Sequence, residues 1–206
     1  MNISCGPSLD ERTLTISLPL QPTKIAILIS GGIDSALLYY LLLEANRRAG
    51  NIHKIVPGTV LRKEGSKYFA KPVIAHVNAL FGLKFDEPLI LGNNQLAEEE
   101  QVKSAVLHAF KIGFEKVYTG LIEQLPQHMI DWQPIPYTET EKFKAPMKHL
   151  NKSHIIDLCF KLGLESLFYL THSCSSVELG RCNNCNGCNE RSWAFDQLSM
   201  KDPGKI

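Results

Sequence analysis

The stretch Lys24-Ile25-Ala26-Ile27-Leu28-Ile29-Ser30-Gly31-Gly32-Ile33-Asp34-Ser35 decides the fold, because it joins two patterns of secondary structure. Its first half, Lys24–Ile29, is a compact aliphatic run bounded by Ser-Gly-Gly, which is typical of a buried strand. The segment that follows, Ser35–Ala49, is rich in Leu and Ala and is closed by Gly50, which predicts a well-buried helix. The stretch therefore predicts a strand, a tight glycine turn and a helix.

The glycine turn, Ile29–Ser35, has the composition of an anion site. Glycines bring backbone N–H groups close to a phosphate, and the helix N-terminus adds further donors. Ser30 and Ser35 add hydroxyl groups on either side. Asp34 would repel a phosphate, so it either holds a Mg²⁺ ion that bridges to pyrophosphate or fixes the loop. A turn that binds no ligand is the alternative interpretation. The turn lacks the Gly-Lys-Ser/Thr ending of a Walker loop and the Gly-x-Gly-x-x-Gly dinucleotide fingerprint.

The alternation of strands and helices continues along the chain and predicts an α/β fold. We expect a mostly parallel, five-stranded sheet that is sandwiched by helices, with the C-terminal ends of its strands on one edge. Ligands bind at that edge in open α/β sheets, and Thr119-Gly120 falls there with the glycine turn. The predicted strands are Lys24–Ile29, Lys54–Leu61 (which Pro57-Gly58 is expected to bulge or break), Glu87–Leu91 and Glu115–Tyr118, with Lys142–Pro146 extended and Leu14–Leu18 as an edge strand. The predicted helices are Ser35–Ala49, Lys71–Phe81, Leu96–Ile112 and Ser153–Leu162.

Four cysteines, Cys174, Cys182, Cys185 and Cys188, have the spacing Cys-x7-Cys-x2-Cys-x2-Cys. Four soft ligands at this spacing indicate a metal site, and four thiolates would fill a tetrahedral zinc sphere and leave no position for water. We therefore predict a small structural zinc knuckle at residues 174–191. An iron–sulfur cluster is the alternative, because the same ligands bind both metals. Disulfides are disfavoured in a chain without a secretory signal.

Length and charge restrict the function further. The chain has 206 residues and a formal net charge of +1, which predicts one domain over residues 1–206 and offers no electrostatic basis for wrapping duplex nucleic acid. No apolar stretch reaches the roughly 20 residues of a membrane span. These features predict a cytoplasmic protein that does not bind membranes, and a homodimer is compatible with them.

The Ser-Gly-Gly-x-Asp-Ser sequence after the first strand resembles the PP-loop of the ATP pyrophosphatase superfamily. This superfamily includes GMP synthetase, NAD synthetase, tRNA thiolases and 7-cyano-7-deazaguanine synthase. The resemblance implies cleavage of ATP between its α- and β-phosphates, with an adenylated acid as intermediate that a nucleophile then attacks. The implied cofactors are ATP and Mg²⁺, with Zn²⁺ at the cysteines.

The combination of a PP-loop with a C-terminal four-cysteine arrangement resembles the 7-cyano-7-deazaguanine synthases in particular. Thr119-Gly120 followed by Glu123 is similar to that family's segment after the fourth strand. Ala145–Lys152 is similar to its Pro-Leu-x-x-Leu-x-Lys element, and Ser173-Cys174 with the later cysteines is similar to its zinc site. By this resemblance Ser30, Asp34, Ser35 and Lys152 are the implied catalytic residues, Ile29–Ser35 with Thr119 and Gly120 bind the nucleotide, and Glu123 recognises the substrate.

Two of these assignments have ordinary alternatives, and two segments depart from the family pattern. Lys152 could be a solvated surface lysine and Glu123 an exposed loop carboxylate. The family's aromatic-Gly-Gln-Arg-His stretch is replaced by Val60–Gly65, and its Tyr-Pro-Asp-Cys-Arg loop by Gln124–Trp132. Both departures fall on the substrate side, where His128, Trp132 and His149 either line a changed pocket or are ordinary structure.

The resemblance implies a ligase that activates 7-carboxy-7-deazaguanine or a similar acid with ATP. Ammonia then gives an amide, and a second activation dehydrates the amide to a nitrile. A close variant transfers the acid to a protein amine, since relatives of this family occur in bacterial antiviral defence. A tRNA-modifying enzyme and a degenerate nucleotide-binding partner subunit are the other hypotheses.

Overall fold

The computed structural model describes residues 1–60, 66–93, 95–96, 98–124, 138–174 and 180–203. The strands are β1 Asn2–Cys5, β2 Arg12–Thr15, β3 Lys24–Leu28, β4 Lys54–Val60, β5 Leu89–Leu91, β6 Lys116–Thr119 and β7 Phe143–Lys144. The helices are α1 Ile33–Arg48, α2 Ser66–Leu80, α3 Glu98–Lys111, α4 Lys152–Lys161, α5 Leu167–Leu170 and α6 Asn186–Gln197.

Strands β3 to β7 form a five-stranded sheet in the order β5-β4-β3-β6-β7. Every neighbouring pair in it is parallel. Helices link consecutive strands from β3 to β6, as parallel pairing requires. The predicted parallel α/β sheet of five strands is therefore confirmed.

Alternate residues of β3 face two separate cores, which shows that the sheet is covered on both sides. Ile25 and Ile27 pack with α1, α2 and α4. Ala26 and Leu28 pack instead with α3 on the opposite face. Successive side chains of a strand point to opposite faces, so a central strand covered on both sides must be apolar throughout. This explains the unbroken aliphatic run of β3.

The chain reverses its direction of travel across the sheet between β3 and β6. It moves outward from β3 to β4 and β5, and then returns to β6 on the other side of β3. In the register of this pair, Leu28 lies opposite Thr119. The loops that leave β3 and β6 therefore start side by side. A crevice at such a switch point is the usual ligand position in open parallel sheets.

Strand β4 is not broken at Pro57-Gly58, contrary to our expectation. Both residues lie in the regular register opposite Ile27 and Leu28. Proline lacks an N–H group and is tolerated only where a strand needs no donor on that side. The pairing of β4 with β5 begins only at Gly58, so the missing N–H of Pro57 falls outside that ladder.

The N-terminal and C-terminal segments differ most from the sequence prediction. Residues 14–18 were expected to form an edge strand, but β2 covers Arg12–Thr15 and pairs antiparallel with β1 in a separate two-stranded sheet. Helix α2 starts earlier than expected and contains Pro72. Helix α6 was not expected at all. None of the helices in the described part of the chain has the length and apolar character that crossing a membrane requires.

Candidate nucleotide site and cysteine cluster

The glycine turn is held by hydrogen bonds among its own residues at the start of α1. The backbone N–H of Ser30 donates to Oγ of Ser35 over 3.2 Å, and the two hydroxyl oxygens are also 3.2 Å apart. Oγ of Ser35 lies 3.1 Å from the carbonyl oxygen of Gly32, to which it can donate. The N-cap residue of α1 is Gly32, which has no side chain to cap the helix. The first N–H groups of α1 are therefore not blocked by a capping side chain.

Two glycines are required here for different reasons. Gly31 has a φ of +88°, in the left-handed region, and an added Cβ would lie 2.4 Å from Cβ of Phe69. Gly120, which follows β6, lies against the start of α1, where an added Cβ would be 2.8 Å from the backbone nitrogen of Ser35. Side chains at either position would displace the turn.

A pocket opens at the junction of the two loops. Its floor is polar at the glycine turn, and its walls are apolar where β3, β4 and α3 meet. The lining residues are Leu28, Ile29, Ser30, Asp34, Ser35, Val60, Val102, Thr119, Gly120 and Leu121. The structure thus brings together the glycine turn and Thr119-Gly120, which the sequence placed on the same edge of the sheet.

Lys152 is the first residue of α4 and is almost fully buried, with 4% of its surface exposed. Its interpretation as a solvated surface lysine is wrong. The preceding Asn151 caps the helix, because its side chain accepts from the N–H groups of Ser153 and His154. A lysine at a helix N-terminus faces the positive end of the helix dipole. It therefore needs negative partners.

Two carboxylates supply that charge. Nζ of Lys152 lies 2.6 Å from Oδ2 of Asp34, which is 118 residues away in sequence, and 3.1 Å from Oε2 of Glu190 on α6. Burial alone would lower the pKa of Lys152, but the charges of Asp34 and Glu190 outweigh it and raise that pKa above its ordinary value. Burial also raises the pKa of Glu190, an effect that Lys152 opposes. Lys152 is therefore cationic at neutral pH.

The cluster of Asp34, Lys152 and Glu190 has an unbalanced charge when all three groups are ionised. Two carboxylates and one ammonium leave a net charge of −1 beside the glycine turn. The second oxygen of Asp34, Oδ1, is buried and has no hydrogen-bond partner among the described residues. Carboxylate oxygens are the preferred ligands of Mg²⁺. The arrangement fits a divalent cation that arrives with phosphate oxygens.

Glu123, the predicted substrate residue, is bound to another side chain. Its carboxylate accepts from Nη1 of Arg12, and the same nitrogen donates to the carbonyl oxygen of His149. Asp10 holds the guanidinium from its other side. The side chain of Glu123 is half exposed. His149 itself contacts Thr13 through Nε2 over 3.0 Å. These contacts tie the loop after β6 to the β1–β2 hairpin.

The four predicted metal ligands lie together. The Sγ atoms of Cys174, Cys182, Cys185 and Cys188 are all within 4.8 Å of one another. The sulfur of Cys174 is 3.5 Å from that of Cys182 and 3.9 Å from that of Cys185. A tetrahedral zinc ion with bonds near 2.3 Å would require sulfur separations of about 3.8 Å. Burial raises the pKa of Cys188 to about 12, so ionising this thiol calls for a nearby cation. The donor set therefore fits a metal ion of zinc's size and softness.

Helix α6 begins at this cluster, and a second set of contacts fixes it one turn later. Cys185 is its N-cap residue and Cys188 lies in its first turn. Arg191 is buried and makes a bidentate ion pair with Asp202, with N–O distances of 2.8 and 2.9 Å. It also donates to the carbonyl oxygen of Phe168. Glu190 lies between these two anchors.

Both segments that depart from the family pattern fall largely outside the described residues. The structure does not describe residues 61–65 or residues 125–137, and the second range includes His128 and Trp132. The interpretation of these two side chains as pocket residues stays a prediction.

Several known proteins are similar to this chain in sequence. Residues 133–199 match the family model described as "Queuosine biosynthesis protein QueC". A 7-cyano-7-deazaguanine synthase of Leptospira biflexa is 30% identical over 97 residues, which are 42% of this chain and 38% of that protein. The Coxiella burnetii enzyme is 22% identical over 222 residues, covering 87% of this chain and 96% of that protein.

A comparison with solved structures gives a weaker similarity. The U34-tRNA thiolase NcsA from Methanococcus maripaludis, solved with its [4Fe-4S] cluster, gives a TM-score of 0.47 at 16% identity, covering 90% of this chain and 68% of that one. The resemblance to the 7-cyano-7-deazaguanine synthases rests on the sequence matches. They confirm it, at low identity over most of the chain.

Glu190 is the residue of this site that the sequence did not reveal. It follows the cysteine cluster and has no motif of its own, so only the packing of α6 against α4 brings it to Lys152. No signal in the sequence pointed to it, because both helix α6 and the burial of Lys152 became evident only in the structure.

Proposed function

We propose that this chain is an ATP-dependent ligase that adenylates the carboxylate of 7-carboxy-7-deazaguanine or a similar heterocyclic acid. The observation that carries the proposal is the position of the glycine turn. It lies at the switch point of the sheet, with the buried ammonium of Lys152 2.6 Å from Asp34 in the same turn. Sequence similarity to 7-cyano-7-deazaguanine synthases supports the class of substrate.

In this proposal the apolar and polar parts of the pocket bind different parts of the nucleotide. The apolar wall of Leu28, Val60 and Val102 would receive the adenine ring, and the glycine turn would receive the β- and γ-phosphates. The hydroxyls of Ser30 and Ser35 and the first N–H groups of α1 would donate to the phosphate oxygens. Mg²⁺, held through Oδ1 of Asp34, would neutralise charge on the phosphates.

The first step is attack by a carboxylate oxygen of the substrate on the α-phosphorus of ATP. The bond between the α-phosphorus and the bridging oxygen breaks, and pyrophosphate leaves with the electron pair. Donors at the glycine turn and the ammonium of Lys152 stabilise the negative charge that develops on the departing group. The product is a mixed anhydride of the acid and AMP.

The second step replaces AMP by a nitrogen nucleophile. The lone pair of ammonia attacks the acyl carbon, the bond to the AMP oxygen breaks, and the nitrogen loses a proton to solvent as the amide forms. A second round of activation at the amide oxygen would give the nitrile. A protein amine in place of ammonia would give a conjugate instead. The loops that would choose between these acceptors differ from the family pattern at Val60–Gly65 and Gln124–Trp132.

Product analysis tests the proposal. The protein is incubated with Mg²⁺, ATP and 7-carboxy-7-deazaguanine, with and without ammonium, and the products are identified by mass spectrometry. An amide or nitrile supports the ammonia-dependent ligase. Formation of AMP together with a mass increase on a polypeptide supports the protein-conjugating variant. Absence of AMP with this acid and with related heterocyclic acids contradicts the proposal.

A further inference from the structure

The ammonium of Lys152 is held on two sides by carboxylates from two different helices. Asp34 belongs to the first turn of α1, and Glu190 belongs to α6. A lysine ammonium has three N–H donors, of which these two contacts engage two. Once two N–H groups of the ammonium are bound, the direction of the third N–H group is fixed. Asp34 alone would leave the group free to rotate about a single contact.

Lys152 has a flexible side chain whose ordering is costly. A lysine loses about 2 kcal/mol of rotamer entropy when its side chain is fixed in one arrangement. In this chain the ordering occurs during folding, because the side chain is 5% exposed and already bound at its end. The ligand would then meet an ammonium group that needs no further ordering.

The position of Glu190 is itself fixed from both sides of its helix. The cysteine cluster lies at the N-terminus of α6, and the Arg191–Asp202 pair lies directly after Glu190. Both anchors are independent of the nucleotide pocket. The position of Glu190, and through it that of the Lys152 ammonium, is therefore set by the packing of α6 against α4.

We propose that Glu190 is a positioning residue that aims the ammonium of Lys152 at the departing pyrophosphate. The inference rests on the proposed function, since it requires that the glycine turn bind pyrophosphate. Glu190 makes no contact with the phosphates in this account. It acts only through Lys152. Because the negative charge of Glu190 opposes anion binding, it can favour pyrophosphate binding only by orienting the ammonium of Lys152.

The charge and the reach of Glu190 can be separated by substitution. Glu190→Asp keeps the charge but shortens the side chain by one methylene, so the contact to Lys152 is lost. Glu190→Gln removes the charge but keeps an oxygen that accepts the same hydrogen bond. Glu190→Ala removes both. A positioning role predicts that the Asp and Ala variants bind pyrophosphate more weakly and that the Gln variant does not. A purely electrostatic role predicts instead that the Gln and Ala variants bind pyrophosphate more tightly and that the Asp variant is unchanged.

The experiment measures binding of magnesium pyrophosphate and of AMP by calorimetry to the purified full chain with its metal. For Glu190→Asp and Glu190→Ala we expect about 10-fold weaker pyrophosphate binding and AMP binding within twofold of the original chain. For Glu190→Gln we expect pyrophosphate affinity equal to or above that of the original. The exposed neighbour Asn189 provides a matched control on the same helix, and Asn189→Ala is expected to change neither affinity.

A double-mutant cycle with Lys152→Ala decides whether Glu190 acts through Lys152. We expect Glu190→Ala to cause less than a twofold further loss of pyrophosphate affinity once Lys152 is replaced. Full additivity of the two losses would overturn the inference, as would unchanged pyrophosphate affinity in Glu190→Asp. If the original chain binds AMP but not pyrophosphate, the proposed function fails first and the inference fails with it. If the original binds both and only the cycle disagrees, the proposed function stands.

Discussion

The glycine turn and the cysteine cluster are both built at the start of a helix, yet their polar groups are satisfied in opposite ways. In each helix the N-cap residue, Gly32 or Cys185, makes no side-chain capping hydrogen bond. The cysteine cluster is closed, because its four sulfur atoms face one another. The glycine turn is open toward a pocket and keeps a buried carboxylate oxygen of Asp34 without a partner among the described residues.

In our proposal this difference distinguishes a site that stabilises the fold, the cysteine cluster, from a site that binds a ligand, the glycine turn. Binding energy at a closed metal site is folding energy, so damage there should appear first as lost stability. Unsatisfied groups at an open site are compensated only when the ligand is bound, so damage there should appear first as lost activity. The partly buried cluster of Asp34, Lys152 and Glu190 joins the two regions through α6.

The largest effect is expected from Lys152→Met, which removes the cation at this junction. Exchange of labelled pyrophosphate into ATP should fall by roughly 10³-fold, because the side-chain cation that the proposal places beside the leaving group is lost. Stability should fall by about 3 kcal/mol, since Asp34 and Glu190 are left without their shared counter-ion. Exchange kinetics and urea unfolding provide the two measurements.

Lys161→Met is the matched control on the same helix. Lys161 is 44% exposed and pairs with Asp157 one turn earlier in the helix, so its removal should alter exchange by less than twofold. Normal exchange activity in Lys152→Met would contradict the role given to this residue.

Cys185→Ser should break the closed site. We expect the bound metal to fall well below one ion per chain and the melting temperature to drop by about 10 °C, because the metal binding energy contributes to folding. Metal analysis and calorimetry measure both. In the control Cys5→Ala a buried thiol that is not part of the cluster is lost, and metal content should stay unchanged. Unchanged metal content and melting temperature in Cys185→Ser would refute the metal site.

A smaller effect on activity is expected from Gly120→Ala. The new methyl group would lie 2.8 Å from the backbone nitrogen of Ser35, so the start of α1 must shift and kcat/KM should fall about 10-fold. Steady-state kinetics with saturating acid measure the change. Gly163→Ala is the contrasting control. Gly163 has a φ of +67° in open space, so alanine there should cost about 1 kcal/mol of stability and leave kcat/KM intact.

The smallest effect is expected at Glu44, which lies far along α1 from both sites. Hydrogen bonds from Arg47 lower the pKa of Glu44 to about 2, with a smaller contribution from Arg48. A lowered pKa means that its stabilisation is present above the unfolded-state pKa of about 4.3 and is lost as the pH falls toward 2. Glu44→Gln should therefore reduce stability by roughly 0.5 kcal/mol at pH 7 and by nothing near pH 2. Urea unfolding across this pH range measures it, and a constant difference at every pH would contradict the assignment.

The local parts of both regions were predictable from the sequence, because each depends on residues that are close together in the chain. The strand, the glycine turn and the helix follow from periodicity and turn chemistry around Ser30–Ser35. The cysteine spacing gave the four sulfur atoms that the structure brings together. The sequence predicted that the sheet is parallel but not the order of its strands, because no local pattern indicates on which side of β3 the later strand β6 is added.

The long-range parts were not predictable in the same way. The contact between Asp34 and Lys152 joins residues 118 positions apart, and that with Glu190 depends on a helix that the sequence did not predict. Asn186, Gly187 and Asn189 are poor helix formers that favour turns. Helix α6 forms because Ala194 and Phe195 are buried in the main core and Arg191 is tied to Asp202. Tertiary packing overrode local propensity in this segment.

The most direct test of the central claim follows an oxygen atom from the acid to the nucleotide. The protein is given 7-carboxy-7-deazaguanine labelled with ¹⁸O in its carboxylate, together with Mg²⁺, ATP and ammonium, and the nucleotide products are examined by mass spectrometry. Adenylation at the glycine turn predicts AMP that carries one ¹⁸O atom, with unlabelled pyrophosphate. Labelled inorganic phosphate together with ADP would mean that the γ-phosphate is attacked instead, and would contradict the account.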